Sequence, residues 1–409
     1  MSRRAPAAVL LALTIGLLLA ACASTARPGA RTSPAPSATP VPSASAVPSS
    51  AGTSGPSASD VPDPDPTGAA GPTTPLSVAQ GEAEWVATGV HEWGGSMNTA
   101  LVLAEDDAWA AGHHDEGATL IRHWDGRSWR EVAAPVRDIG IRAVSAAPGG
   151  RLPWIFTGDA RAWRRQGGGW ASMGGPAGPG GRVLQAAAVT GAREAWMAGV
   201  LTEDGETPFL AHWAGGGWHE TASPGGMEVA DFAASSPREV WAVGAAGGHP
   251  AITRWDGERW AAAPLPAAPA AQQGRLTGVA VSPSGEAWAV GRANRPGEPP
   301  ENVLFTWDGS RWTAPGVPAS RLPGVRASRL PAFTAVAADG RGGVWIGGER
   351  GGDVIVHYAG GHWTVERTPH RSSPAVYDLA AGPGGGPVLA VGGEPDYDED
   401  GHAWIWTRG

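Results

Sequence analysis

The 409-residue sequence predicts an all-β fold: a seven-bladed β-propeller of four-stranded blades, closed by an N-terminal strand in the last blade. Three observations lead there. A strand-turn-strand segment flanked by Trp recurs along the chain, a second Trp-bearing strand precedes each copy, and the pair repeats every roughly 40 to 57 residues, the size of a propeller blade.

The hairpin is clearest at Arg254 to Trp260, R-W-D-G-E-R-W, where Asp256-Gly257 favours the positive-φ backbone of a tight turn. Copies stand at 123–129, 212–218, 306–312 and 357–363, with a weaker one at 162–170. The preceding strand reads D-A-W-A-A-G (107–112), E-A-W-M-A-G (194–199), E-V-W-A-V-G (239–244), E-A-W-A-V-G (286–291) and G-V-W-I-G-G (343–348). Period-two alternation puts Trp288 and Val290 on one face and Ala289 and Gly291 on the other. Small-residue segments such as L-T-G-V-A-V-S (276–282) suit the crowded innermost strand.

Counting strands points to seven blades, with six or eight left open by the degenerate second repeat. Second strands fall at Trp109, Trp154, Trp196, Trp241, Trp288, Trp345 and Val388-Leu389. Third strands fall at Trp124, Trp163, Trp213, Trp255, Trp307, Tyr358 and Trp404, but fourth strands only at Trp129, Trp170, Trp218, Trp260, Trp312 and Trp363. The missing fourth strand is expected from A-E-W-V-A-T-G (83–89), paired with H-A-W-I-W (402–406), which leaves no bare sheet edge. A monomer is expected.

Over residues 79–409 this pattern resembles the kelch and galactose-oxidase-like propellers and, more loosely, the sialidase-like ones. The hairpin aromatics are closer together than in kelch repeats, and Asp125-Gly126-Arg127-Ser128-Trp129 is one residue shorter than a sialidase Asp-box. The chemistry those families imply does not carry over. The galactose-oxidase crosslink needs a cysteine that this propeller lacks, and the sialidase nucleophile would have to be one of Tyr358, Tyr377 or Tyr397. A propeller by itself implies no reaction, and the expectation is a binding module rather than an enzyme.

The N-terminus sets the compartment. Arg3 and Arg4 precede an apolar run from Ala7 to Ala21, a signal peptide over 1–21. L-A-A-C at Leu19 to Cys22 resembles a bacterial lipobox, which implies cleavage before Cys22 and lipid attachment to it, and Cys22 is the only cysteine. Residues 22–78 then form a Ser/Ala/Pro/Thr-rich linker with too little apolar surface to offset its ordering entropy. As a flexible coil it spans roughly 40 Å. The expected location is the outer face of the cell membrane, lipid-anchored, with the membrane as one partner and an unknown protein or glycan of the envelope as the other. A net charge of -9 argues against nucleic acid, whose phosphates require a concentrated basic face.

Function is expected on the face opposite the short W-D-G hairpins, where variable polar loops gather. Candidate ligand contacts there are Trp93, His113, His114, Asp115, Glu203, Asp204, Arg292 and Arg350, Trp93 because it stands outside the repeat. In-register Trp are expected to pack between blades instead. Asp396, Asp398, Asp400 and Gly401 open a D-x-D-x-D-G calcium-type loop, but Thr407 stands where the bidentate Glu would be, so calcium needs ligands from elsewhere. The alternative to a protein-binding module is a lectin or hydrolase acting on cell-wall glycan.

Overall fold

A computed structural model describes residues 85–408 apart from 92–94, 115–117, 179–180, 204–205, 267–271, 319–321, 323–324, 326–329, 350–352, 370–374 and 394–401. The described residues form seven four-stranded antiparallel sheets within one unit, Thr67–Gly409. In blades 1 to 6 the four strands run in chain order from the axis outward. The innermost strands are Ser96–Ala104, Ile141–Ser145, Arg182–Gly191, Glu228–Ser236, Gln273–Val281, Ala332–Ala338 and Ala375–Ala381. Each contacts the next, and the seventh contacts the first, so the ring is closed.

Blade 7 is completed from the other end of the chain. Strand Val86–His91 pairs antiparallel with Ala403–Arg408, from Val86↔Thr407 to His91↔Ala403. Just before it, Trp85 is 3% exposed and stands edge-on to Trp345 of blade 6 at 5.9 Å. That contact has the form of Trp196 against Trp260 and Trp241 against Trp312, 5.0 and 5.1 Å and also edge-on. Trp85 therefore fills the slot of the missing fourth-strand Trp.

The same contacts explain the repeat. A Trp on the second strand packs into the hairpin Trp pair of the following blade, as Trp241 does against Trp307 and Trp312 and Trp196 does against Trp255 and Trp260. Each such cluster is buried between two blades, where large flat side chains fill the wedge that widens away from the axis.

Two further patterns in the motifs become intelligible. The His before the hairpin Trp stacks on the second-strand Trp, at 4.1 Å for Trp109 and His123, 4.0 Å for Trp196 and His212 and 4.1 Å for Trp345 and His357. Its Nε2 meets an acidic residue at or near the start of the second strand, Asp107 at 2.9 Å, Glu194 by a shorter contact and Asp339 at 2.8 Å. In blade 4, Arg254 takes the place of His, 5.3 Å over Trp241 and 2.7 Å from Glu239. The W-D-G turn is longer than a two-residue hairpin loop, with four residues between paired Trp124 and Trp129, because the Asp side chain closes it. Asp125 Oδ1 accepts from the N–H groups of Arg127 and Ser128 at 3.0 Å, and Gly126 holds φ 86°.

Candidate binding face and axial channel

The antiparallel order divides the loops. One face carries the turns from first to second strand and the W-D-G hairpins. The other, the upper face, carries the second-to-third loops and the connections between blades. On the lower face the hairpin carboxylates are satisfied by their own turns. Asp308 is drawn down to about 2 by the hydroxyl of Ser310 and the N–H groups of Arg311 and Ser310, and Asp125 and Asp256 are lowered by the equivalent amides.

The innermost strands share a feature that brings side chains to the axis near the upper face. Each has a one-residue bulge against its neighbour, at Asn98, Arg142, Gln185, Ala230, Thr277, Thr334 and Tyr377. The glycine ending the W-x-x-G motif makes room for it. A Cβ on Gly112, Gly244, Gly348 or Gly392 would lie 1.7 to 1.8 Å from the carbonyl oxygen two residues before the bulge. Blade 2 departs from the rule, with Thr157 opposite Ile141.

The residue after the bulge ties adjacent blades together. Thr99 Oγ1 accepts from Val144 N–H at 3.1 Å, Asp231 Oδ2 from Val279 N–H at 2.9 Å and Asp378 Oδ2 from Ala100 N–H at 2.9 Å. Their other oxygens accept from Phe232 and Leu379 N–H, both at 2.8 Å. Burial pushes Asp231 up to about 7 against the pull of these amides, with Asp378 adding repulsion and Arg142 opposing it. Asp378 is pushed up to about 6 by the same burial, opposed by the Ala100 and Leu379 amides, the Thr99 hydroxyl and Arg142.

Arg142 sits among these groups. Its pKa is lowered by desolvation, while Asp231 and Asp378 favour its charge and Arg275 opposes it. These four residues come from blades 2, 4, 5 and 7, and the axis is where side chains from across the ring meet. Arg142 is nonetheless exposed, so water reaches it within the channel.

The sequence candidates fall into two groups. Trp93, Asp115, Asp204, Arg350, Asp396, Asp398 and Asp400 lie outside the described residues, as do Cys22 and the linker. His113, His114, Glu203 and Arg292 lie on the upper side. His113 Nδ1 is 3.2 Å from Asn98 Nδ2, His114 N–H donates to Ala118 O, and Glu203 is exposed. Arg292 pairs across strands with Arg275 and donates to Pro300 O at 2.8 Å. Among the described residues no group of three or more His, Cys, Asp or Glu is placed to hold a metal ion. The residues that sequence reasoning missed are Arg142, Asp231, Arg275 and Asp378. Their signal was a charged side chain inside an innermost strand otherwise built of small and apolar residues.

No family model and no curated protein matches the chain. Among solved structures, the chain is similar to YCF48 bound to D1 peptide, at 14% identity and TM-score 0.51, covering 81% of this chain and 97% of that one. It is similar to YCF48 from Cyanidioschyzon merolae, at 13% identity and TM-score 0.52, with 80% and 98% covered. It is also similar to the Cps50 (Swd1) propeller of Myceliophteria thermophila, at 13% identity and TM-score 0.53, with 79% and 99% covered. At such identities the likeness concerns the fold alone, and the fold it supports is the seven-bladed β-propeller.

Proposed function

We propose that this chain is an exported lipoprotein, held to the outer face of the membrane through Cys22, whose propeller binds a protein partner on its upper face. The observation that carries the reading is the inequality of the two faces. On the lower face the W-D-G carboxylates Asp125, Asp256 and Asp308 are spent within their own turns, whereas the upper mouth of the channel brings together Arg142 and Arg275, which make no ion pair among the described residues. The propeller solved with a bound peptide supports a polypeptide ligand by analogy of fold.

Glycan stacking is the weaker reading. No described Trp is an exposed large hydrophobic residue, so these rings are committed to packing between blades. Two measurements test the proposal. Cys22→Ser is expected to shift the protein from the membrane fraction to the soluble one, and unchanged fractionation refutes the anchor. Affinity capture from envelope extracts is expected to recover a protein whose retention is lost when upper-face Glu203 and Arg295, the latter in the loop between the second and third strands of blade 5, are replaced by Ala. Retention that survives these changes and falls only with lower-face variants assigns the wrong face.

A further inference from the structure

The arginines of the channel mouth make no ion pair with a carboxylate among the described residues, in contrast to a second group in the propeller. Arg130, Arg161, Arg182, Arg254, Arg367 and Arg408 each pair with a carboxylate. Arg142 makes one hydrogen bond among the described residues, from Nε to the backbone oxygen of Gln185 at 3.1 Å, and its two terminal nitrogens have no partner among them. Arg275 has no ion pair among the described residues, and its Nε is buried without an acceptor. Directly across from it stands Arg292, whose Nε is also buried without an acceptor. Like charges on directly opposed strand positions repel, and a buried donor without a partner costs about 1 to 3 kcal/mol. Gln185 Oε1 and Thr334 Oγ1, both at bulge positions, are buried without partners as well. Four blades thus present polar atoms at the channel mouth that have no partner among the described residues.

We propose that the upper mouth of the axial channel is an oxyanion site in which Arg142 and Arg275 hold a carboxylate of the partner polypeptide, with Arg292 reinforcing the field from the next strand out. A guanidinium fork matches the two oxygens of a carboxylate, and Thr334 can donate its hydroxyl to the same group. The guanidinium groups of Arg142, Arg275 and Arg292 outnumber the two buried aspartates, Asp231 and Asp378, so the mouth keeps a net positive charge, and a carboxylate is the anion that an unmodified polypeptide brings to it. The carboxylate belongs either to an acidic side chain or to a chain terminus.

This inference rests on the upper face being the binding face, and calorimetry on the full chain in detergent tests it separately. The probes are acetate, inorganic phosphate, a short neutral peptide with a free C-terminus, its amidated form and an amidated form with one internal Glu. Acetate and at least one carboxylate peptide are expected to bind, the amidated neutral peptide is not, and the two peptide arms tell terminus from side chain. Arg142→Gln and Arg275→Gln are each expected to weaken binding about tenfold or more, the loss of one charge-assisted contact. Arg142→Lys, which keeps the charge but not the fork, is expected to fall between. Arg182→Gln, a control whose guanidinium is already paired with Glu220, is expected to leave binding unchanged. Carboxylate binding indifferent to both axial substitutions overturns the site, as does phosphate binding more tightly than any carboxylate. Partner capture without carboxylate binding refutes the site and leaves the protein-binding reading standing, and carboxylate binding without a captured protein does the reverse.

Discussion

Closure of the ring by the N-terminal strand makes a sharp prediction about truncation. Trp85 is 3% exposed in the cluster between blades 6 and 7, against Trp345. Removing a large buried aromatic costs about 3 to 5 kcal/mol, a substantial part of the roughly 5 to 15 kcal/mol that holds an ordinary domain together. Losing the strand itself also removes the 2.7 Å hydrogen bond between the buried hydroxyls of Thr88 and Thr407 and bares the edge of Ala403–Arg408. Deleting residues 23–75, which precede Trp85 and its strand in the sequence, is expected to leave the thermal midpoint of the full chain nearly unchanged. Deleting 23–90 is expected to lower it by many degrees, and Trp85→Ala by an intermediate amount. The assay is thermal and urea unfolding of the three variants beside the parent. Equal midpoints for the two truncations would refute closure through this strand and, with it, the equivalence of Trp85 to the fourth-strand Trp of other blades.

Further outcomes follow from the same contacts. Trp241→Ala, fully buried between blades 4 and 5, is expected to cost about 3 to 5 kcal/mol in urea denaturation, and partly buried Trp170→Ala less; a larger loss at Trp170 contradicts the packing scheme. Gly244→Ala places a Cβ 1.8 Å from Glu228 O and is expected to destabilise by about 1 to 3 kcal/mol or more, whereas Gly216→Ala, with nothing within 4 Å, is expected to be nearly neutral. Because the folded state raises Asp231 from 3.8 to about 7, it keeps a proton that the unfolded chain has already lost. The carboxylate's penalty is thus absent below about pH 4 and develops as pH rises through about 7, with a ceiling of about 4 kcal/mol. Asp231→Asn is expected to flatten that slope in unfolding measured across pH, while losing a fixed increment because one amide oxygen cannot serve both Phe232 and Val279 N–H; an unchanged slope refutes the assignment. Acetate affinity is expected to rise as pH falls from 8 to 6, since protonating Asp231 and Asp378 removes negative charge beside Arg142, and a rise in the opposite direction contradicts the axial arrangement.

The blades were legible because their defining contacts repeat. In most blades one Trp of the second strand and two aromatics of the hairpin recur to fill the same wedge, so Trp196, Trp241 and Trp345 stand at fixed places relative to Trp260, Trp312 and Trp85. Counting those slots even located the strand that completes blade 7. The axial residues had no such signature. Asn98, Arg142, Gln185, Ala230, Thr277, Thr334 and Tyr377 occupy one structural position but share no chemistry, since a side chain facing a water-filled axis need not complement its neighbours' shapes. Arg142 and Asp378 are far apart in the chain and meet only because the ring closes.

The repeated glycine links scaffold and site. At the end of a strand motif, Gly reads as punctuation before a loop, yet Gly112, Gly199, Gly244, Gly291, Gly348 and Gly392 all lie within their second strands. Each faces a backbone carbonyl that any Cβ would strike at 1.7 to 2.3 Å. The carbonyl comes that close because the inner strand bulges at the same level, and a bulge re-aims the side chain it inserts. The motif that builds the blade wall therefore also creates a position whose side chain is released from packing between blades. A ring of such positions tolerates substitution without loss of the scaffold, and a mixed set of polar and charged residues can collect there. That freedom makes the channel mouth of this propeller a place where specificity is set by a few side chains, among them Arg142, whose terminal nitrogens make no hydrogen bond among the described residues.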